Sequence, residues 1–330
     1  MVGARKFVFL GWLAVVCCAG AVREEQIRFK SGGITLAGTL VIPATSRTHL
    51  AVVIFHGSGS EARNLKMARW FAQQGVAALT YDKRGVGESE GDYREVPFMD
   101  LADDGLAAIQ MLKSRRDIDP KRIGVWGISQ GGWLGPLAAS RSRDVAFVIA
   151  VSGPGVSPGE QMIFYFASQL RAKGVAETDI AEASELRRQV WRCLSTGAGC
   201  KETQSSVERA KAMPSFAIVA TQDDRLFKTF DDAASEREDR WFKAEVNYDP
   251  TIALRKLSVP ALFIFGERDW LVPVARSVDI IRGTMAQSGH RDFTIKVFQG
   301  ADHGIQVGGA PAPSYLELMK TWLASRVAAK

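Results

Sequence analysis

The chain has 330 residues, 46% hydrophobic and 24% charged, with a formal net charge of +6. That is ordinary globular composition, long enough for one large α/β domain with an insertion or for two domains. No internal repeat or low-complexity tract appears, and basic residues alternate with acidic ones, as in Glu182 to Arg188 and Ser235 to Lys243, so no nucleic-acid partner is expected.

The first residues read as a signal peptide. Arg5 and Lys6 form a charged region, and Phe7 to Ala19 form an apolar run too short for a comfortable membrane span. Ala19-Gly20-Ala21 is a small-x-small cleavage site, and Val22-Arg23-Glu24-Glu25 opens polar sequence. Residues 1–21 are therefore expected to be removed, which predicts an exported protein, periplasmic or secreted, without stable membrane insertion. A lipoprotein reading at Cys17 or Cys18 lacks the small preceding residue, and an uncleaved anchor is the alternative. Cleavage would leave Cys193 and Cys200, flanking Ser195-Thr196-Gly197-Ala198-Gly199. In an exported chain they could close a small disulfide loop; the other reading is two free thiols.

Strands are predicted at Gln26 to Phe29 and Ile34 to Ile42, joined at Ser31-Gly32-Gly33. Leu50 to Phe55 is a continuous apolar run, the pattern of a buried parallel strand. It ends in His56-Gly57-Ser58-Gly59-Ser60. A helix from Ala62 to Gln74 stops at Gly75. The strand Val76 to Tyr81 leads into Asp82-Lys83-Arg84-Gly85-Val86-Gly87-Glu88-Ser89, and Phe98 to Ser114 is amphipathic and helical. Asp119-Pro120-Lys121 turns into a strand at Ile123 to Trp126, and Val145 to Val151 is the next apolar strand. This alternation implies βαβ units and a mainly parallel sheet with helices on both faces. It pauses over residues 153–256, where Ile180, Ala183, Leu186, Val190 and Leu194 share one helical face. That segment reads as a mostly helical cap, with Phe216 to Ala220 a candidate short strand. The core, residues 22–152 and 257–330, resumes with a strand at Ala261 to Phe265, a helix at Val274 to Ser288, a strand at Phe293 to Phe298 and a closing helix at Pro313 to Ala328.

The most specific stretch is Ile123-Gly-Val-Trp-Gly-Ile-Ser129-Gln130-Gly131-Gly132. An apolar strand enters Gly-x-Ser-x-Gly and a helix-compatible run leaves it, the context of a nucleophile elbow. Reacting groups in an open parallel sheet gather at the carboxyl ends of its strands. Here those ends carry His56-Gly57-Ser58, Ser129, Asp269 and His303.

Ser, then Asp, then His is the chain order of the α/β-hydrolase triad. From about Gln26 to Ala328 the chain resembles the α/β-hydrolase superfamily, particularly its bacterial serine esterase and serine-aminopeptidase-like branch. Tyr248-Asp249-Pro250 resembles the cap exit of such esterases. The resemblance implies Ser129 as nucleophile, His303 as its base and Asp269 to orient the histidine, with backbone N–H groups of Ser58 and Gln130 as the oxyanion hole.

Glu267, Asp302, Asp223 and Asp224 are the competing acids. His49 and His290 lie in polar connections and read as solvated, and His56 reads as structural. Asp82 and Arg84 read as ties holding a loop beside the site. Trp133 and Trp270 read as packing under the cap, as do Phe164-Tyr165-Phe166 and Trp241-Phe242. The implied activity is hydrolysis of a small-molecule carboxylic ester through an acyl-enzyme, with no metal or organic cofactor. A peptidase, for which Glu236, Glu238 or Asp239 could hold a substrate ammonium, is one alternative. Thioesterase or acyltransferase activity is another, and a catalytically silent binding module on the same fold is a third.

Overall fold

The computed structural model describes residues 21–45, 47–211 and 245–328. The leader up to residue 20, the 216–220 run, Asp223, Asp224, Glu236, Glu238, Asp239 and Trp241-Phe242 lie outside them.

Strands β1 (Val22–Ser31), β2 (Ile34–Pro43), β3 (His49–Phe55), β4 (Ala77–Tyr81), β5 (Ile118–Ile128), β6 (Val148–Val151), β7 (Ala261–Gly266) and β8 (Phe293–Phe298) form one sheet. Its order is β1-β2-β4-β3-β5-β6-β7-β8. The β1–β2 and β2–β4 pairs are antiparallel, and every pair from β4 to β8 is parallel. This is the α/β-hydrolase architecture, a mostly parallel twisted sheet flanked by helices.

Strand β3 explains why its sequence has no polar gaps. Ala51, Val53 and Phe55 face one core cluster, while Leu50, Val52 and Ile54 face the other. A strand covered on both sides must be apolar at every position. The first cluster is closed by α2 (Phe98–Lys113), α3 (Gly131–Arg141), α7 (Pro250–Lys256) and α8 (Val274–Gln287), through residues such as Leu101, Leu134, Leu254 and Ile281. The second is closed by α1 (Leu65–Gln73) and α9 (Tyr315–Ala328), through Phe71, Met319 and Trp322. Each such buried side chain contributes roughly 1.5–3 kcal/mol.

Several boundaries differ from the sequence reading, with β1 starting at Val22 and not Gln26 and β6 at Val148 and not Val145; two others have a clear local reason. Helix α1 starts at Leu65, not Ala62, because the preceding residues have other hydrogen bonds. Arg63 N–H donates to Asp82 Oδ1 and Asn64 N–H to Thr80 Oγ1, while Asn64 Oδ1 caps the helix at Met67 N–H. Strand β5 starts at Ile118, so Asp119-Pro120-Lys121 lies within it, at an irregularity in the register against β3. A proline can occupy that place because the ladder is interrupted there.

Between β6 and α7, the described residues form α4 (Pro158–Ala172), α5 (Glu177–Thr196) and α6 (Cys200–Ala210). The predicted apolar face of α5 packs in two directions. Ile180 joins Phe166 and Leu170 of α4, and Leu186 and Val190 join Val207 and Ala210 of α6. Gly197 and Gly199, both at positive φ, turn α5 into α6, and a Cys193–Cys200 disulfide spans that turn with Cα atoms 4.9 Å apart.

Candidate active site

Ser129 occupies the turn between β5 and α3. Its φ is +56°, in the left-handed region that costs a residue with a side chain roughly 1–2 kcal/mol. The surroundings enforce it. Ser129 N–H donates to Val151 O on β6 at 2.9 Å, and Ser129 O accepts from Gly132 N–H at 2.8 Å. A Cβ at Gly127 would collide with the Gly131 backbone, and one at Gly131 would meet His56 O at 2.8 Å. The two glycines of the motif therefore let strand, turn and helix touch, and the serine is left partly exposed above the sheet.

Asp269 follows β7, and its carboxylate is fully buried. Oδ1 accepts from Leu271 N–H at 2.9 Å and Val272 N–H at 3.0 Å, leaving Oδ2 to accept from His303 Nδ1–H at 2.8 Å. That bond assigns the ring proton to Nδ1 and leaves Nε2 as a base. The competing acids among the described residues are used elsewhere. Asp302 Oδ1 accepts from Gly304 N–H and Gln306 N–H, closing its own loop, and Glu267 Oε2 accepts from Gly300 N–H.

The imidazole is only 17% exposed, and the His303 carbonyl is held by Ser152 Oγ at 2.8 Å. Ser152 directly follows β6, the strand beside the nucleophile's own, so His303 is tied to the end of the strand next to β5. Among the described residues, no hydrogen bond joins Ser129 Oγ to His303. Such bonds are often long in a free enzyme and tighten around substrate.

The loop after β3 supplies the opposite wall. His56 is buried, with Nε2 2.5 Å from Tyr81 O, and burial pushes its pKa down to about 4, so the neutral ring donates there as a structural strut. Gly57 N–H donates to Glu61 Oε2 at 2.9 Å. Ser58 is exposed, and Gln130 opens α3, where free N–H groups favour negative charge. Among the described residues, neither Ser58 N–H nor Gln130 N–H has a hydrogen-bond acceptor.

Asp82 and Arg84 tie the next loop. Arg63 grips Asp82 with Nη2 2.6 Å from Oδ2, and Arg84 is bidentate on the buried Asp104, at 2.6 and 2.8 Å. Burial alone would raise the Asp82 pKa, but Arg63 and two backbone amides outweigh it and hold it low.

Several sequence readings need correction. His49 is buried at the head of β3, its N–H on Asp117 O, because the strand begins one residue earlier than expected. His290 is only partly exposed and lies 2.8 Å from Val259 O through Nε2. Trp133 packs as expected, its indole N–H on Val156 O, but Trp270 is half exposed and lies tilted against the Tyr165 ring of α4, with ring centres 5.3 Å apart.

Two groups at the site were not read from sequence. Lys83 is 2% exposed, and burial pushes its pKa down to about 8, offset in part by Glu61 and Glu245. Glu245 is 1% exposed, and its carboxyl oxygens accept no well-formed hydrogen bond among the described residues. Burial pushes its pKa up to about 9 against weaker opposing pulls from the Phe98 amide and Lys83. Lys83 stood inside a motif already singled out, while nothing local marks Glu245. No group of three or more His, Cys, Asp or Glu side chains among the described residues is arranged to hold a metal. No described helix is long and apolar enough to cross a membrane.

Residues 46–221 match the family described as serine aminopeptidase, S33. The chain belongs to that family. It is 42% identical over 143 residues to the polyketide transferase claH of Penicillium crustosum, an alignment covering 42% of this chain and 46% of that one. It is 25% identical over 294 residues to the esterase EstD of Thermotoga maritima, covering 86% and 61%. The chain thus spans about half the length of the curated relatives it matches. The α/β hydrolase GrgF of Penicillium superposes with a TM-score of 0.56 at 18% identity, over 92% of this chain and 96% of that one. The family match and the fold place the chain in the α/β-hydrolase superfamily.

Proposed function

We propose that this protein is an exported serine carboxylesterase working through Ser129, His303 and Asp269. The observation that carries the reading is the Asp269–His303 pair, a buried carboxylate on His303 Nδ1, following strands of the sheet that also carries a serine in strained backbone geometry. His303 Nε2 takes the Ser129 proton as Oγ attacks the ester carbonyl. The carbonyl oxygen becomes an oxyanion held by Ser58 N–H and Gln130 N–H. The C–O bond to the alcohol breaks, and the alcohol leaves with the proton from His303. Water then attacks the acyl-enzyme with His303 as base, releasing the acid and restoring the serine.

Export is supported by the signal-like first residues and by a disulfide, which persists in oxidising compartments. The similarity to a polyketide transferase favours one second reading, in which the same acyl-enzyme is transferred to an acceptor other than water.

The test is hydrolysis of p-nitrophenyl esters from acetyl to palmitoyl by the chain from Val22 and its Ser129→Ala variant. Turnover abolished in the variant is the expected result. Equal, feeble rates in both would reject the ester reading. Turnover with an acyl thioester, raised by an added alcohol acceptor and absent with the esters, would favour transfer.

A further inference from the structure

The Lys83 ammonium has three N–H donors, and all three are used at one place. Nζ donates to Gly57 O at 2.8 Å, to Gly59 O at 3.2 Å and to Gln130 Oε1 at 2.7 Å. The first two carbonyls flank Ser58 in sequence, and the third acceptor is the side chain of the residue that follows the nucleophile. These segments are otherwise independent: one is the loop after β3, the other the first turn of α3.

We propose that Lys83 is a positioning residue for the oxyanion hole, a single cation that fixes the Ser58 and Gln130 amides relative to each other. This rests on the proposed role of those amides.

A hole needs its two donors aimed at one point, and error in either direction weakens the bond formed in the transition state. Loops bearing glycine at both sides of the donor, as here, do not hold such an aim alone. The alternative, a lysine buried only for packing, would not require its three acceptors to converge on the two donor segments. The aliphatic stem also leads the charge past the Tyr93 ring, whose centre lies 4.8 Å from Nζ.

The device has a pH limit. The titratable groups facing Lys83 are Glu61 in the loop beyond Ser58, Tyr93, and Glu245 at the cap exit, which keeps its proton to about pH 9; Asp82, the preceding residue, is paired with Arg63, and His56 is buried and neutral. Burial lowers the lysine pKa to about 8 despite Glu61 and Glu245. Above that, the amine keeps two donors and turns a lone pair toward the third oxygen, so one tie becomes a repulsion.

The experiment compares wild type, Lys83→Met and Lys83→Arg on p-nitrophenyl acetate across about pH 6–10, with Ser129→Ala as background. Expected is a wild-type kcat that declines above about pH 8, with KM nearly constant. Lys83→Met should lower kcat at neutral pH by about 10²-fold, the scale of a misplaced oxyanion donor, with KM within about threefold and the alkaline limb gone. Lys83→Arg should be folded and should also lose that limb, because guanidinium does not titrate there. If Lys83→Met does not fold, the Arg variant and the wild-type profile carry the test. A wild-type kcat flat to about pH 10, or a folded variant that keeps both full kcat and the wild-type limb, overturns the proposal. Activity surviving in Ser129→Ala would instead overturn the nucleophile reading beneath it.

Discussion

Replacing Glu245 by glutamine should make the protein progressively more stable than wild type as pH rises. The carboxyl is buried without a well-formed hydrogen bond, and its pKa stands near 9 against an ordinary value of 4.5. Between those values the folded chain keeps a proton that the unfolded chain releases. The folded state then binds more protons, so wild-type stability falls as pH rises through that window. Glutamine has nearly the same shape and does not titrate, which removes this slope. The cost of burying its amide is constant with pH and drops out of the slope.

His56 pulls the other way below its ordinary pKa, because its folded pKa is lowered, but it does so equally in both proteins. From about pH 5.5 to about pH 7.5, the difference in unfolding free energy should grow by ~2–3 kcal/mol, at about 1.4 kcal/mol per unit. Urea unfolding at constant ionic strength, followed by tryptophan fluorescence, measures it. Parallel stability curves for the two proteins, or a gap that closes with rising pH, would refute the burial argument.

Asp269→Asn should leave the fold intact and lower kcat by about 10³–10⁴-fold, because the amide no longer accepts from His303 Nδ1 and the ring adopts the wrong tautomer. Stopped-flow ester hydrolysis beside a circular dichroism spectrum checks both halves, and a loss under tenfold would contradict the assignment. Replacing Cys193 and Cys200 together by serine should cost about 2 kcal/mol, the loop-closure entropy of a bridge spanning seven residues. That loss should appear as faster thermolysin cleavage between α5 and α6, with the acetyl ester rate unchanged. An equal cleavage rate would mean that helix packing alone holds the turn.

The parallel core was legible because burial on both faces leaves a strand no room for polar residues, so Leu50 to Phe55 and Ala261 to Phe265 stood out as apolar runs. The ends of these runs, and of the strands at Ile123 to Trp126 and Phe293 to Phe298, then indicated Ser58, Asp269, Ser129 and His303. The motif around Ser129 carried its own local reason, since Gly127 and Gly131 are demanded by backbone contact. Lys83 was hidden because its acceptors, Gly57 O and Gln130 Oε1, lie 26 and 47 residues away in the chain. Glu245 was hidden for the same reason: a carboxyl on a polar cap segment reads as solvated until the segment is folded against Phe98 and Tyr248. His49 was misread because one extra strand residue decides whether a polar side chain is outside or inside.

If Ser129, Asp269 and His303 act as proposed, the sheet order also governs when the chain becomes reactive during synthesis. Ser129 lies in the first half of the polypeptide, while Asp269 and His303 come with the last two strands. A chain emerging from its N-terminus carries the serine long before anything can withdraw its proton. The elbow itself leans on β6 through Val151, and the His303 carbonyl on Ser152, the residue just after that strand. An incomplete or still unfolded chain therefore holds a hydroxyl no more nucleophilic than any other, and chemistry begins only when the C-terminal edge docks. For the exported hydrolase proposed above, that ordering would be a built-in delay.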